Sequence, residues 1–379
     1  MHFEPMPITP SVLRWARERA GFSLTALADD FRNIEDWEEG AASPSYPQLE
    51  RLSEKFKVPV AVFFFPDPPE IPSIEETFRT LGPEQVDDIP PRIRLLLRKA
   101  RTFQISLVEL NDGRNPADRQ IVHDLKITRN DDVAQIAETV RDYLGISMED
   151  QIHWEDAETA LNAWRDVFLR AGVYIFKDQF RQPEYSGFCL YDDEFPIIYV
   201  NNTTAKTRQI FTLFHELAHL LFHTSGIDTV SDRFIDQLAG DNKKVEIICN
   251  QVAASTLVPE KAFEEAFGEK GANEATAAEL AELFSVSREF IFRRFLDRGL
   301  ITTGEYEDAA RRWSAQRTRG AGGDHYNTKI AYLGKQYINL AFQRFYQNKI
   351  DFNQLAEVLD TKPKNLTRLE DYVSRRRMP

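Results

Sequence analysis

The stretch TRQIFTLFHELAHLLFHTSG, residues 207–226, decides how this chain reads. Within it His215 and His219 stand four positions apart, with Glu216 directly after the first. On a helix, residues at i and i+4 lie one turn above each other on one face, so two imidazoles at this spacing reach a single ion. Glu216 falls off that line but stays close to it, where a carboxylate takes a proton from activated water and hands it to a leaving amine. The pair and the acid beside it predict one Zn2+ per chain, with Glu216 as the catalytic general base of a metalloendopeptidase-type site. Phe211, Leu213, Phe214, Leu217, Leu220 and Leu221 make the helix apolar on nearly every side, which predicts burial. Histidines and a glutamate buried there need partners, and a metal ion is one.

Two histidines leave a zinc site short of a third protein ligand. Glu246 is the first choice, because it opens a second apolar run, EIICNQVAASTLVP at 246–259, able to cross the first helix. His223, Asp228, Asp232 and Asp236 are its rivals. His223 continues the stripe of His215 and His219, but two steps of four residues drift by about 80° on a straight helix, so a supporting or structural role suits it better. Asn250, four residues after Glu246, is placed to orient a ligand or substrate by hydrogen bonding. Cys249 reads as a small core residue. Tyr199 and Arg208, just ahead of the metal helix, are candidate donors to a developing oxyanion, with ordinary packing or surface pairing as the alternative.

Working outward, GVYIF, SGFCLYD and FPIIYVNN between 172 and 202 are short, rich in aromatic and β-branched residues and separated by turn formers. They predict a small antiparallel sheet of about three strands at 172–201, whose edge offers main-chain hydrogen bonds to an extended peptide. Nearly everything else has helical spacing, including 91–110, 131–145, 156–172 and 275–302. PDPPEIPS at 66–73, with its four prolines, and TRGAGGD at 318–324 read as breaks. The expectation is a mostly α, α+β chain in four parts: a helix-turn-helix-like bundle at 1–65, a helical connecting region at 66–165, a metallopeptidase domain at 166–305 and a C-terminal helical unit at 325–379.

The chain has 379 residues and a mass of 43.8 kDa, enough for two or three cores. Its 42% hydrophobic and 28% charged residues are those of an ordinary soluble protein. A formal net charge of −13 excludes binding nucleic acid through the whole surface, since phosphates demand clustered Lys and Arg. Cys189 and Cys249, the two cysteines, give no disulfide framework and suit a reducing cytoplasm. VAVFFF at 60–65 is far shorter than a membrane span, and MHFEPMP has no basic start of an export signal, so a cytoplasmic protein without membrane contact is expected.

The order IIYVNN, then RQIFTLFHELAHLLFH, then Glu246 within EIICNQVAASTLVP resembles the ImmA/IrrE family of cytoplasmic metallopeptidases over about 170–300. The resemblance implies a zincin-like domain with His215, His219 and Glu246 as zinc ligands. It also implies regulation of transcription under stress or phage induction, by cleaving or promoting loss of a helix-turn-helix repressor.

RWARERAGFSLTALA, followed by WEEG and PSYPQLERLSEKFKVPVAVFFF, resembles the Xre-type helix-turn-helix domain often fused to long members of that family. The segment departs from the Xre pattern where the turn and recognition helix belong. Only nine positions separate Ala28 from Trp37, and DDFRNIEDWEEG is acidic. Phosphates repel such a helix, so protein docking or dimerisation is as good a role as DNA reading. AELAELFSVSREFIFRRFLDRGLI and FNQLAEVLDTKPKNLTRLEDYV share the cadence, the first carrying Arg288, Arg293, Arg294 and Arg298, with compact packing as the alternative. Arg375, Arg376 and Arg377 add a short basic tail.

The combined expectation is a zinc-dependent endopeptidase-type regulator acting on a partner protein. The alternative is an Xre-type DNA-binding regulator or toxin-antitoxin component with a sensory or weakly active peptidase domain, and a homodimer is compatible with either.

Overall fold

The computed structural model describes residues 4–71, 89–229, 240–315 and 325–375. The chain divides into two compact units, Met1–Lys99 and Ala100–Pro379. Among the described residues no helix is long and apolar enough to cross a membrane. Residues 72 and 73 of the proline segment, the linker at 318–324, and Arg376 and Arg377 lie outside the described residues.

The first unit holds α1 (Pro10–Ala20), α2 (Leu24–Leu27), α3 (Ile34–Glu39), α4 (Tyr46–Phe56) and a 3-10 turn at Val60–Phe64. Their starts are written in the chain. Ser23 accepts from the Ala26 amide to open α2, and a Ser45/Gln48 capping box opens α4. Leu13, Ala16, Leu27, Trp37, Leu52 and Phe56 close the core. Arg17 grips the buried Glu38 through two hydrogen bonds of 2.6 and 2.9 Å, tying α1 to α3. Helix α3 is only six residues long and carries Glu35, Asp36, Glu38 and Glu39.

Helix α5 (Pro91–Leu110) contains the division between the units. Then come α6 (Ile121–Asp124), α7 (Val133–Leu144), α8 (Met148–Ile152) and α9 (Ala157–Arg170), followed by β1 (Tyr174–Asp178), β2 (Tyr185–Leu190) and β3 (Ile197–Asn201). The metal-motif helix α10 (Lys206–Leu221), β4 (Ile227–Thr229) and α11 (Gly240–Leu257) complete the centre. Helices α12 (Glu260–Phe267), α13 (Glu274–Phe284), α14 (Arg288–Asp297) and α15 (Thr303–Ala315) follow, and α16 (His325–Leu333), α17 (Lys335–Tyr346), α18 (Phe352–Val358) and α19 (Leu366–Arg375) belong to the same second unit. Lys349 holds Asp112, just past α5, at 2.8 Å, and Arg344 donates to the Leu110 carbonyl.

The sheet corrects one expectation. It is mixed rather than antiparallel, in the order β1-β3-β2-β4, with β1 parallel to β3 and β2 antiparallel to both β3 and β4. Because β3 enters between its two predecessors, β1 meets it from the same direction, and residue periodicity carries no record of that choice. The fourth strand is three residues long, too short for an alternation to be read. Every residue of β1 and β3 is buried, because both sheet faces are covered. Ile198 and Val200 belong to the large core that includes α10, while Phe103 of α5 stacks on Phe176 at 4.5 Å and Tyr337 of α17 meets Phe176 edge-on at 5.1 Å. Gly187 lets β2 approach α10, since a Cβ there would lie 2.5 Å from Thr212 Cγ2.

The basic stretch of α14 is committed within the fold. Arg294 bonds Glu260 and the Val258 carbonyl, Arg298 bonds Glu264 and Glu260, Arg293 pairs with Asp297 at 2.9 Å, and Arg288 lies over the Trp313 ring.

Candidate metal centre

Helices α10 and α11 cross so that His215, His219 and Glu246 meet. His215 Nε2 lies 3.2 Å from Glu246 Oε2, His219 Nε2 lies 3.3 Å from Glu246 Oε1, and the two imidazole nitrogens are 3.2 Å apart. All three side chains are buried. Ligands about 2.0–2.1 Å from a tetrahedral ion stand about 3.3–3.4 Å from one another, so this triangle has the size of one face of a zinc polyhedron. His215 Nδ1 donates to Asn250 Oδ1 at 2.9 Å, which turns the lone pair of Nε2 toward Glu246. Two lone-pair nitrogens and a carboxylate facing one another in a dry interior repel unless a cation or proton joins them.

Glu216 is fully buried, and neither of its oxygens has a hydrogen-bond partner among the described residues. Burial pushes its carboxyl up to about 7, opposed by His219 and His215. Glu246 goes the other way: burial raises it, but His219 and His215 outweigh that and hold it well below the carboxylate range. Burial lowers His215, and Asp228 and Glu246 more than offset it. A buried carboxylate with no partner is costly, and a water on the triangle's open side would supply one. The donor set, the spacing and this orphaned acid all fit a resident metal ion.

The remaining candidates separate. Asn250 is at the site. Asp228 is buried but turned away, accepting from Arg208 Nη2 at 2.8 and 2.9 Å and from Thr212 Oγ1 at 2.8 Å. Arg208 thereby takes the pairing alternative, as the anchor of Asp228, and it also donates to Ser186 Oγ at 2.9 Å. Tyr199 takes the packing alternative. Strand alternation puts it on the sheet face opposite Ile198 and Val200, stacked on Phe188 at 5.1 Å with its hydroxyl 3.4 Å from Asp178. His223 lies beyond the end of α10 at φ 56°, exposed and bonded to the Tyr191 hydroxyl at 2.8 Å, so it is no ligand. Asp232 and Asp236 lie outside the described residues.

Three residues at the centre had no functional reading. Gly226 passes so close to His219 that a Cβ would lie 2.6 Å from its Cδ2. Cys189, which accepts from the Gly226 amide at 3.2 Å, has a thiol raised by burial and by the neighbouring Glu216. Cys249 adjoins His219, and its place one turn after Glu246 on α11 was a usable signal.

Residues 169–296 match the family model of the IrrE N-terminal-like domain, a span running from the end of α9 into α14 and holding the whole metal triangle. This segment resembles the IrrE N-terminal-like domain. The radiation response metalloprotease IrrE of Deinococcus deserti is 33% identical over 99 residues, which is 26% of this chain and 34% of that protein. That of Deinococcus radiodurans is 32% identical over 99 residues, 26% of this chain and 30% of that protein. The aligned part thus spans about a third of the length of these relatives.

Proposed function

We propose that this chain is a zinc-dependent endopeptidase-type regulator that cleaves a partner protein, such as a helix-turn-helix transcriptional repressor, in the cytoplasm. The observation that carries the reading is the meeting of His215, His219 and Glu246 at tetrahedral edge distances beside a buried, unpartnered Glu216. Two imidazoles and a carboxylate with a fourth position open form the donor set of hydrolytic zinc sites. When bound, zinc supplies Lewis acidity and an acidified water. Glu216 accepts the proton of the attacking water on a carboxylate oxygen and delivers it to the nitrogen of the cleaved peptide bond. Asn250 keeps His215 in one tautomer and orientation. Among the described residues β4 is an outer strand of the sheet, starting next to Gly226 and the His219 ring, so an extended peptide added to that edge would run beside the site.

The stress-response role is inferred from the relatives, which are named for a radiation response. Direct DNA reading has less support, given the acidic α3 and the committed arginines of α14. The test pairs Glu216→Gln with His215→Ala. Elemental analysis should find about one zinc per chain in wild type and Glu216→Gln but none in His215→Ala, and co-expressed helix-turn-helix repressors of the same organism should include one cleaved by wild type alone. Cleavage by Glu216→Gln at the wild-type rate would sink the proposal.

A further inference from the structure

A second built feature lies apart from the metal centre, at the free edge of β1. A cavity of about 500 Å³ opens between α9, β1, α16 and α17. Its size suits a small metabolite. Leu169, Phe176 and Ile330 give it an apolar wall, and Arg165, Lys177 and Lys335 give it cations.

Lys177 is 3% exposed, and its ammonium forms no hydrogen bond or ion pair among the described residues. Its charged neighbours are Arg165, Lys206 and Glu158, and the acid among them is already paired with Lys206 at 3.0 Å. Asp166, the other acid at the cavity, accepts from Gln336 Nε2 at 3.1 Å. Arg165 donates to the carbonyls of Ala331 at 3.0 Å and Ile175 at 3.2 Å, and the acids near it, Asp166 and Glu158, are the ones already bonded to Gln336 and Lys206. Helix α17 starts in the same wall. Its N-cap is Gly334, at φ 82°, which has no side chain to satisfy the first-turn amides. A buried unpaired ammonium, a guanidinium and an uncapped helix N-terminus thus converge on one space, and each favours negative charge there. Burial among other cations pushes Lys177 down to about 6, the state of a group that lacks a counter-ion.

We propose that this cavity binds a small organic anion, its carboxylate or phosphate seated between Lys177, Arg165 and the first turn of α17 and its body against the apolar wall. A carboxylate or phosphate would give the ammonium a counter-charge beside a helix N-terminus whose cap residue, Gly334, has no side chain.

The test uses the full chain with sodium phosphate and sodium butyrate as probes against sodium chloride at equal ionic strength. Thermal melting and titration calorimetry are run on wild type, Lys177→Met and Lys177→Gln, the second variant covering a failure of the first to fold. At least one of the two anions should raise the wild-type Tm beyond the chloride control, with affinity at least tenfold weaker in the variants. A wild type that responds to neither anion beyond chloride, or variants that respond as wild type does, would overturn the proposal.

Discussion

Asn250 governs which nitrogen of His215 faces the metal position, through one hydrogen bond of 2.9 Å. Removing such a support costs about 10–100-fold in metal affinity, so Asn250→Ala should weaken zinc by that order in a chelator competition while the circular dichroism spectrum stays unchanged. Lys177 makes a pH-dependent prediction. Its folded pKa is depressed to about 6 from the ordinary 10.5, so its burial destabilises fully below about 6 and the penalty fades as pH rises to 10.5. Lys177→Met should therefore raise stability by up to about 5 kcal/mol at neutral pH, with the advantage lost near pH 10.5, as read by denaturant unfolding across pH. The meeting of His215 and His219 was legible because a helix turns spacing directly into geometry. Tyr199 and Arg208 were not. An unbroken apolar run, IIYV, does not tell which sheet face each residue takes, and the partner of Arg208 lies 20 positions away at Asp228.

At the scale of elements, the helices and the second metal helix could be read from periodicity, but the tie that steadies α11 could not. Gln151, fully buried on α8, donates to the carbonyls of Leu257 and Phe284 at 2.9 Å each and accepts from Arg141 at 2.8 Å. It joins the ends of α11 and α13 to α7, yet in MEDQIHW it has the look of a surface residue. Gln151→Leu leaves buried carbonyls and a guanidinium short of partners, a loss of about 2–3 kcal/mol, measurable as an earlier unfolding midpoint. A midpoint equal to wild type would assign the anchoring of α11 to its core contacts alone. The parallel pairing of β1 with β3 escaped for a related reason, since strand direction follows from where the chain returns and not from any residue in the strand.

Over the whole molecule, the acidic balance followed from composition. The arrangement inside the second unit did not, because it depends on side chains far apart in sequence, such as Phe103, Phe176 and Tyr337. One helix of that unit lines the cavity and packs against the helix that carries His215. Arg165 of α9 lines the anion cavity, while Trp164, one residue earlier, meets Phe214 edge-on at 4.8 Å, and Phe214 precedes His215. Thermodynamic reciprocity makes this adjacency measurable: if cavity occupancy alters zinc affinity by some factor, zinc must alter anion affinity by the same factor. Affinities for the bound anion in metal-free and zinc-loaded protein should differ severalfold if α9 acts as a conduit, and a ratio of one would make it a rigid spacer. In the first case the proposed peptidase would be tuned by a small anion it never cleaves.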